Sequence, residues 1–165
     1  MRILLYIILV FQRLGELRLA KRNEEKMIQL GGFEVEGSHY KGIKGLHILF
    51  FLLIIKDGTF VGKKPPFLKL MFFLFLLLQF GRYWCIHTLG ERWNTKIIVL
   101  PNSELIKKGP YRWINHPNYW IVGLEFFVIS FIFQAFSLSI LFPILHFLIM
   151  KYIRIPAEER ALTIL

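Results

Sequence analysis

Five stretches of this chain are almost purely apolar, at residues 3–11, 43–55, 67–80, 119–133 and 138–150. The side chains able to face water are confined to the connections between them. A soluble domain needs charge spread along its elements to cover its core. Here hydrophobic residues make up 55% of the chain and charged residues 19%, with 17 Phe, and the mean hydropathy is +0.51. That balance excludes a disordered chain. The single Cys85 excludes an intrachain disulfide framework and offers no thiolate metal cluster. The remaining class is an all-α, polytopic integral membrane bundle of about five transmembrane helices, with residues 1–165 as a single membrane-embedded domain.

The first block is too short to span a bilayer alone, and no small-residue cleavage site follows it, so a removed signal peptide is not expected. Its pattern continues through Leu14, Leu17 and Leu19 as an amphipathic helix running to Glu24. Gly31, Gly32, Gly37 and Ser38 mark a loop, and Lys63-Lys64-Pro65-Pro66 a turn. Residues 88–117 are polar and rich in turn formers, 134–137 are a short break, and the tail 151–165 reads as a polar helix.

The formal net charge is +10. The basic residues fall between apolar blocks, a distribution that sets membrane topology and meets anionic lipid headgroups; no nucleic-acid surface is expected. Residues 13–44 carry seven Lys and Arg and residues 82–112 carry six, whereas the break at 134–137 carries none. The excess puts these two connections and the C-terminal tail in the cytosol.

Residues 109–119, Gly-Pro-Tyr-Arg-Trp-Ile-Asn-His-Pro-Asn-Tyr, lead into a membrane helix with an imidazole, a proline and two tyrosines. Pro117 suits a first helical turn, where a missing N–H costs nothing. The free N–H groups of that turn favour an anion. Tyr111, Trp113 and Tyr119 offer faces to an adenine or a cation. Trp113 and Trp120 are also what an interfacial aromatic belt requires.

This segment, the hydrophobic hairpin after it and Ala157-Glu158-Glu159-Arg160-Ala161-Leu162 together resemble the C-terminal signature of the isoprenylcysteine carboxyl methyltransferases and related phospholipid methyltransferases. The specific likeness covers residues 105–162, and the lead-in at 89–111 and the start at 12–25 resemble the small five-span bacterial members. The resemblance implies a membrane methyltransferase using S-adenosyl-L-methionine, with residues 105–162 as its cofactor-binding part. Carried over by position, the cofactor site comprises Tyr111, His116, Pro117, Tyr119, Glu158 and Glu159; no metal is implied. Beside the resemblance, Glu125, an ionisable residue inside an apolar block, and Arg112 are the candidate catalytic residues. Asn115 stands where the family has Arg, and Ile121 where it has Gly. The resemblance further implies methyl transfer to an oxygen of a lipidic acceptor drawn from the bilayer. Acceptors in such families include prenylcysteine carboxylates, phospholipid amines and, for small bacterial members, enol or phenol hydroxyls of alkylpyrone-type lipids. A non-catalytic lipid-binding protein or scaffold that kept the fold, and a small transporter, stay open beside this reading.

Two ionisable residues lie inside apolar blocks. Glu125 is ten residues before Ala135 and His146 ten after Phe136. In an antiparallel hairpin they share a depth, roughly 8–10 Å below the cytosolic face at about 1.5 Å per residue. An unpaired carboxylate in hydrocarbon is costly. Glu125 and His146 are therefore expected within hydrogen-bond reach, directly or through one water or polar side chain; a histidine satisfied by a backbone carbonyl is the plain alternative. Arg13, Glu16, Ala20 and Asn23 share one helical face near the N-terminus, as a packing seam or as an acceptor contact.

Overall fold

The computed structural model describes residues 2–35, 38–58 and 67–163. Helix α1 is Arg2–Gln29, α2 Ser38–Gly58, α3 Leu68–Leu89, α4 Pro117–Phe133, α5 Phe136–Ile149 and α6 Ile155–Leu162. The architecture is all-α apart from a two-residue antiparallel ladder, in which β1 (Phe33–Glu34) pairs with β2 (Ile98–Val99). The Lys63–Pro66 turn lies outside the described residues.

Two helical stretches, Leu68–Arg92 and Phe136–Leu162, are long and apolar enough to cross a membrane, and Pro117–Phe133 is a shorter apolar helix. Their outer faces carry Phe72, Phe73, Leu76, Leu77 and Phe80 on α3, and Ile140, Leu141, Ile144 and Leu148 on α5, all exposed. An unbroken apolar surface of this kind suits hydrocarbon and not water. The inner faces meet in a core of Phe50, Phe126, Ile132, Phe133 and Phe142. Among lipids this packing gains no hydrophobic driving force; close contact and interhelical hydrogen bonds hold it. Gly123 lets α5 pack close, because a Cβ there would stand 2.7 Å from the Phe147 ring.

The hairpin falls where the sequence places it, and more tightly. Gln134 turns the chain in the left-handed region (φ 63°), its N–H on the carbonyls of Phe131 and Ser130. The tail is not a separate helix. It continues α5 through a π-helical turn, Met150–Arg154, into α6. A regular helix turns about 100° per residue, so the eight residues from His146 to Arg154 would end about 80° out of register. The wider turn rotates less per residue, and His146, Met150 and Arg154 are all buried.

The two polar connections clasp each other, which their composition did not announce. Besides the β1–β2 ladder, the Val35 N–H donates to the Ile97 carbonyl at 2.9 Å. Lys96 Nζ lies 2.7 Å from Glu24 and 2.9 Å from Glu34. Those two hydrogen bonds push its ammonium pKa above the ordinary lysine range. Asn23 on α1 donates to the carbonyls of Gly90 (3.1 Å) and Trp93 (2.7 Å).

Candidate active site

Pro117 opens α4 from a buried position, and His116 and Tyr119 stack beside it, ring centroids 5.6 Å apart and planes 10° from parallel. Both reach Glu158, brought from α6 by the π-helical turn. His116 Nδ1 is 3.2 Å from one carboxylate oxygen; the other accepts from Tyr119 Oη and, at 2.9 Å, from Arg154 Nε. Arg154 Nε also lies 3.1 Å from Tyr119 Oη. The Glu158 carboxylate is thus fixed by three side chains, and spare lone pairs remain for a ligand.

Tyr111 sits on the short turn Gly109–Arg112. Gly109 begins that turn at φ +52°, and a Cβ there would stand 2.5 Å from Thr88 Oγ1, so only glycine fits. Burial pushes the Tyr111 phenol well above its usual pKa, which keeps it a neutral donor. Tyr111, Asn115, His116, Asn118, Tyr119 and Glu158 line an open cavity of about 220 Å³, together with Leu89, Ile97, Val99, Ala161 and Leu162. Asn118 Oδ1 is buried there without a hydrogen-bond partner.

A larger cavity, about 380 Å³, lies on the other side of Trp93, Asn94, Asn118 and Tyr119, which border both. Its walls are Tyr6, Val10 and Leu17 of α1, Ile43, His47 and Phe51 of α2, and Val122, His146 and Met150. Leu14, Ile48 and Leu52 also line it, and all three are exposed on the outer, apolar surface. The large cavity therefore opens sideways between α1 and α2.

Under this cavity lies a neutral cluster of two guanidiniums and two carboxylates. Glu125 accepts from Arg13 (2.7 Å), Gln79 (2.8 Å), Arg82 Nε (2.9 Å) and Arg82 Nη2. Glu16 accepts from Arg13 (2.7 Å), Arg82 Nη1 (3.0 Å) and Gln12 (3.0 Å). The Arg13–Glu16–Ala20–Asn23 face is thus a packing seam, of which Arg13 and Glu16 also border the cavity. The expected Glu125–His146 pair is not formed: Glu125 turns to α1 and α3, while His146 Nε2 donates to the Tyr119 carbonyl at 2.9 Å.

Of the residues singled out from sequence, the structure brings together Tyr111, His116, Pro117, Tyr119 and Glu158. Glu159 is exposed at the edge, 3.9 Å from His116 Nε2. Arg112 is exposed and lines neither cavity, and Glu125 lies below the larger one. Arg82, Gln79, Arg154, Trp93 and Asn94 were not singled out as site residues. Two spacings carried a signal: Gln79 and Arg82, three apart near the end of an apolar block, and Arg154 and Glu158, four apart.

Known proteins are similar in sequence along most of the chain. An uncharacterized protein of Bacillus subtilis (strain 168), YpbQ, is 42% identical over 160 residues, covering 96% of this chain and 95% of its own. An uncharacterized protein of Haemophilus influenzae is 24% identical over 158 residues, covering 92% and 88%. No solved structure matches. The family profile that fits residues 70–164 takes in α3, the Tyr111–Tyr119 entry, the hairpin and the helix bearing Glu158, and by it the chain belongs to the isoprenylcysteine carboxyl methyltransferase family of membrane methyltransferases.

Proposed function

We propose that this protein transfers a methyl group from S-adenosyl-L-methionine to an oxygen of a lipidic acceptor. The observation that carries the reading is the pair of cavities separated only by Trp93, Asn94, Asn118 and Tyr119. The smaller one offers what the cofactor presents groups for. Glu158 accepts from an ammonium or ribose hydroxyls, Asn118 Oδ1 is an unused buried acceptor, and Tyr111, His116 and Tyr119 provide aromatic faces. Pro117 sets the helix start that carries them, and Glu159 borders the site. When bound, the cofactor supplies an electrophilic methyl group on a sulfonium.

The larger cavity takes the acceptor, which enters from the bilayer past Leu14, Ile48 and Leu52. Membrane lipids surround the chain on that side. Acceptors that fit are an alkylpyrone-type enol, a phenol hydroxyl or a prenylcysteine carboxylate. Holding the two reactants across one thin wall supplies most of what methyl transfer needs, since alignment dominates the barrier. A water-poor site also favours loss of the sulfonium charge.

Cells fed methyl-labelled methionine, with and without the protein, are expected to differ in at least one labelled lipid, and purified protein to bind S-adenosylhomocysteine by calorimetry. Identical lipid extracts together with absent binding would overturn the reading.

The reading includes five spans, a multi-pass protein with the site facing the cytosol. With Cys85 replaced, a cysteine at Ser137 should react with a membrane-impermeant reagent from outside, and one at Ser103 only after permeabilisation. The opposite pattern inverts the topology.

A further inference from the structure

Helix α2 supplies one wall of the larger cavity, and its lining residues form a ladder. Tyr40, Lys44, Ile48 and Leu52 are spaced by four, so they stack on one helical face, and all of them line the cavity. Lys44, Ile48 and Leu52 are exposed. Lys44 thus stands one turn above Ile48 on the edge of the lateral opening. The ladder has a direction. His47 is nine residues after Ser38 and Phe126 nine after Pro117, the first residues of their helices, and the two rings lie 5.0 Å apart. Toward the far ends, Tyr6 packs on both Phe51 and Phe133, at 5.8 and 6.5 Å between centroids. Helices α2 and α4 therefore run parallel and in step. Tyr40 is level with Tyr119, in the wall shared by the two cavities, and Leu52 lies about 18 Å deeper at 1.5 Å per residue. Lys44 is one turn below Tyr119, and a lysine stem bends toward the polar end.

Among the Lys and Arg residues of this cavity, one charge is left over. Arg13, Arg82 and Arg154 line it and are bound to Glu16, Glu125 and Glu158. Lys44 lines it too, and among the described residues no carboxylate lies within ion-pair distance of it. Three guanidiniums thus meet three carboxylates, and Lys44 adds a single positive charge above the apolar Ile48, Phe51 and Leu52. A single-chain amphiphile with one negative charge complements both features. Its chain follows Ile48 and Leu52, and its head stops at Lys44, beside the shared wall.

We propose that Lys44 selects the acceptor, holding it by an ionised oxygen, a carboxylate or an enolate, at the head of a single alkyl chain. The inference rests on the methyltransferase reading above, and it places the selection on α2, outside the family-matched residues 70–164. In the step, an oxygen lone pair of the anion forms the bond to the methyl carbon, and the carbon–sulfur bond breaks with its electron pair kept by sulfur. No proton is transferred. The negative charge on oxygen and the positive charge on sulfur vanish together, leaving a neutral methyl ester or enol ether. Lys44 then has no anion to hold, so it favours the acceptor over the product. The charge on oxygen is already falling in the transition state, so Lys44 acts on acceptor binding and not on the chemical step.

The test uses the full chain in uncharged micelles. Dodecylbenzoate and an undecyl hydroxypyrone, ionised as its enolate, are the anionic acceptors, and methyl dodecylbenzoate is the neutral control. Calorimetry without cofactor should show Lys44→Gln binding both anions about tenfold more weakly, as loss of a hydrogen bond to a charged group does. Binding of the ester should change by less than about twofold. Lys44→Arg, which keeps the charge, should recover most of the loss. In turnover, Lys44→Gln should raise KM about tenfold for whichever anion is methylated and leave kcat unchanged or higher. The anion that is methylated identifies the source of the oxygen. Anion affinity indifferent to residue 44, equal losses on anion and ester, or a fall in kcat at constant KM overturns the proposal. Anion-selective binding that depends on Lys44, in a protein that methylates no lipid, sustains Lys44 as the anion-holding residue and overturns the methyltransferase reading instead.

Discussion

Replacing Glu158 by Gln is expected to weaken S-adenosylhomocysteine binding by roughly 10- to 150-fold, measured by calorimetry on protein in micelles. The carboxylate is fixed by His116, Tyr119 and Arg154, so it meets a ligand ammonium or hydroxyl already oriented. A hydrogen bond to a charged group contributes about 1.5–3 kcal/mol, and each 1.4 kcal/mol is tenfold in affinity. The amide keeps the size but cannot take the charge, and it brings two donors toward Arg154 and Tyr119. Glu159, with its side chain 61% exposed, is the internal comparison: Glu159→Gln should cost less than about fivefold, as exposed ion pairs do. Equal effects at the two positions would show that the cofactor does not lie along Glu158.

Arg82→Met should lower the unfolding midpoint in micelles by about 6–12 °C. The guanidinium, itself buried, joins the buried Glu125 and the partly buried Glu16 in one cluster. Removing one member of such a cluster leaves a buried carboxylate short of charge, at a cost of about 3 kcal/mol or more. For a chain of this length, roughly 2–4 °C follows from each kcal/mol. Combining Arg82→Met with Glu125→Met should recover part of the loss, because the stranded charge goes with it. A double variant no more stable than Arg82→Met alone would mean that α3 and α4 are held here by shape and not by charge.

The hairpin and the grouping of Tyr111, His116, Pro117, Tyr119 and Glu158 were legible because their signals are local. A break at residues 134–137 between two apolar runs, a proline at a helix start, and a motif of fixed spacing each need only neighbouring residues. Depth was legible too, since rise per residue is constant. Azimuth was not. Glu125 and His146 stand at matching distances from the turn, but α4 presents Glu125 to α1 and α3, where Arg13 and Arg82 wait, and α5 presents His146 to the first turn of α4. Arg82 and Arg154 read from sequence only as topology charges, because Arg82 meets Glu125 and Glu16, 43 and 66 residues away, and Arg154 meets Tyr119, 35 residues away, from a turn whose pitch no pattern shows. The larger cavity was hidden for a related reason: α1, α2 and α5 each contribute a wall, and no one of them carries its outline.

The π-helical turn at Met150–Arg154 makes the tail a counted segment. Everything beyond it, Glu158 and Ala161 included, is aimed by how many residues the chain spends between His146 and Arg154. A side chain in that stretch can be exchanged while the frame survives. A residue added or removed rotates the whole of α6 about its axis by roughly a quarter turn or more, because each helical residue advances about 100°. Across these five positions the length is therefore constrained as tightly as the buried Met150 and Arg154, and only the exposed Lys151, Tyr152 and Ile153 are open to exchange.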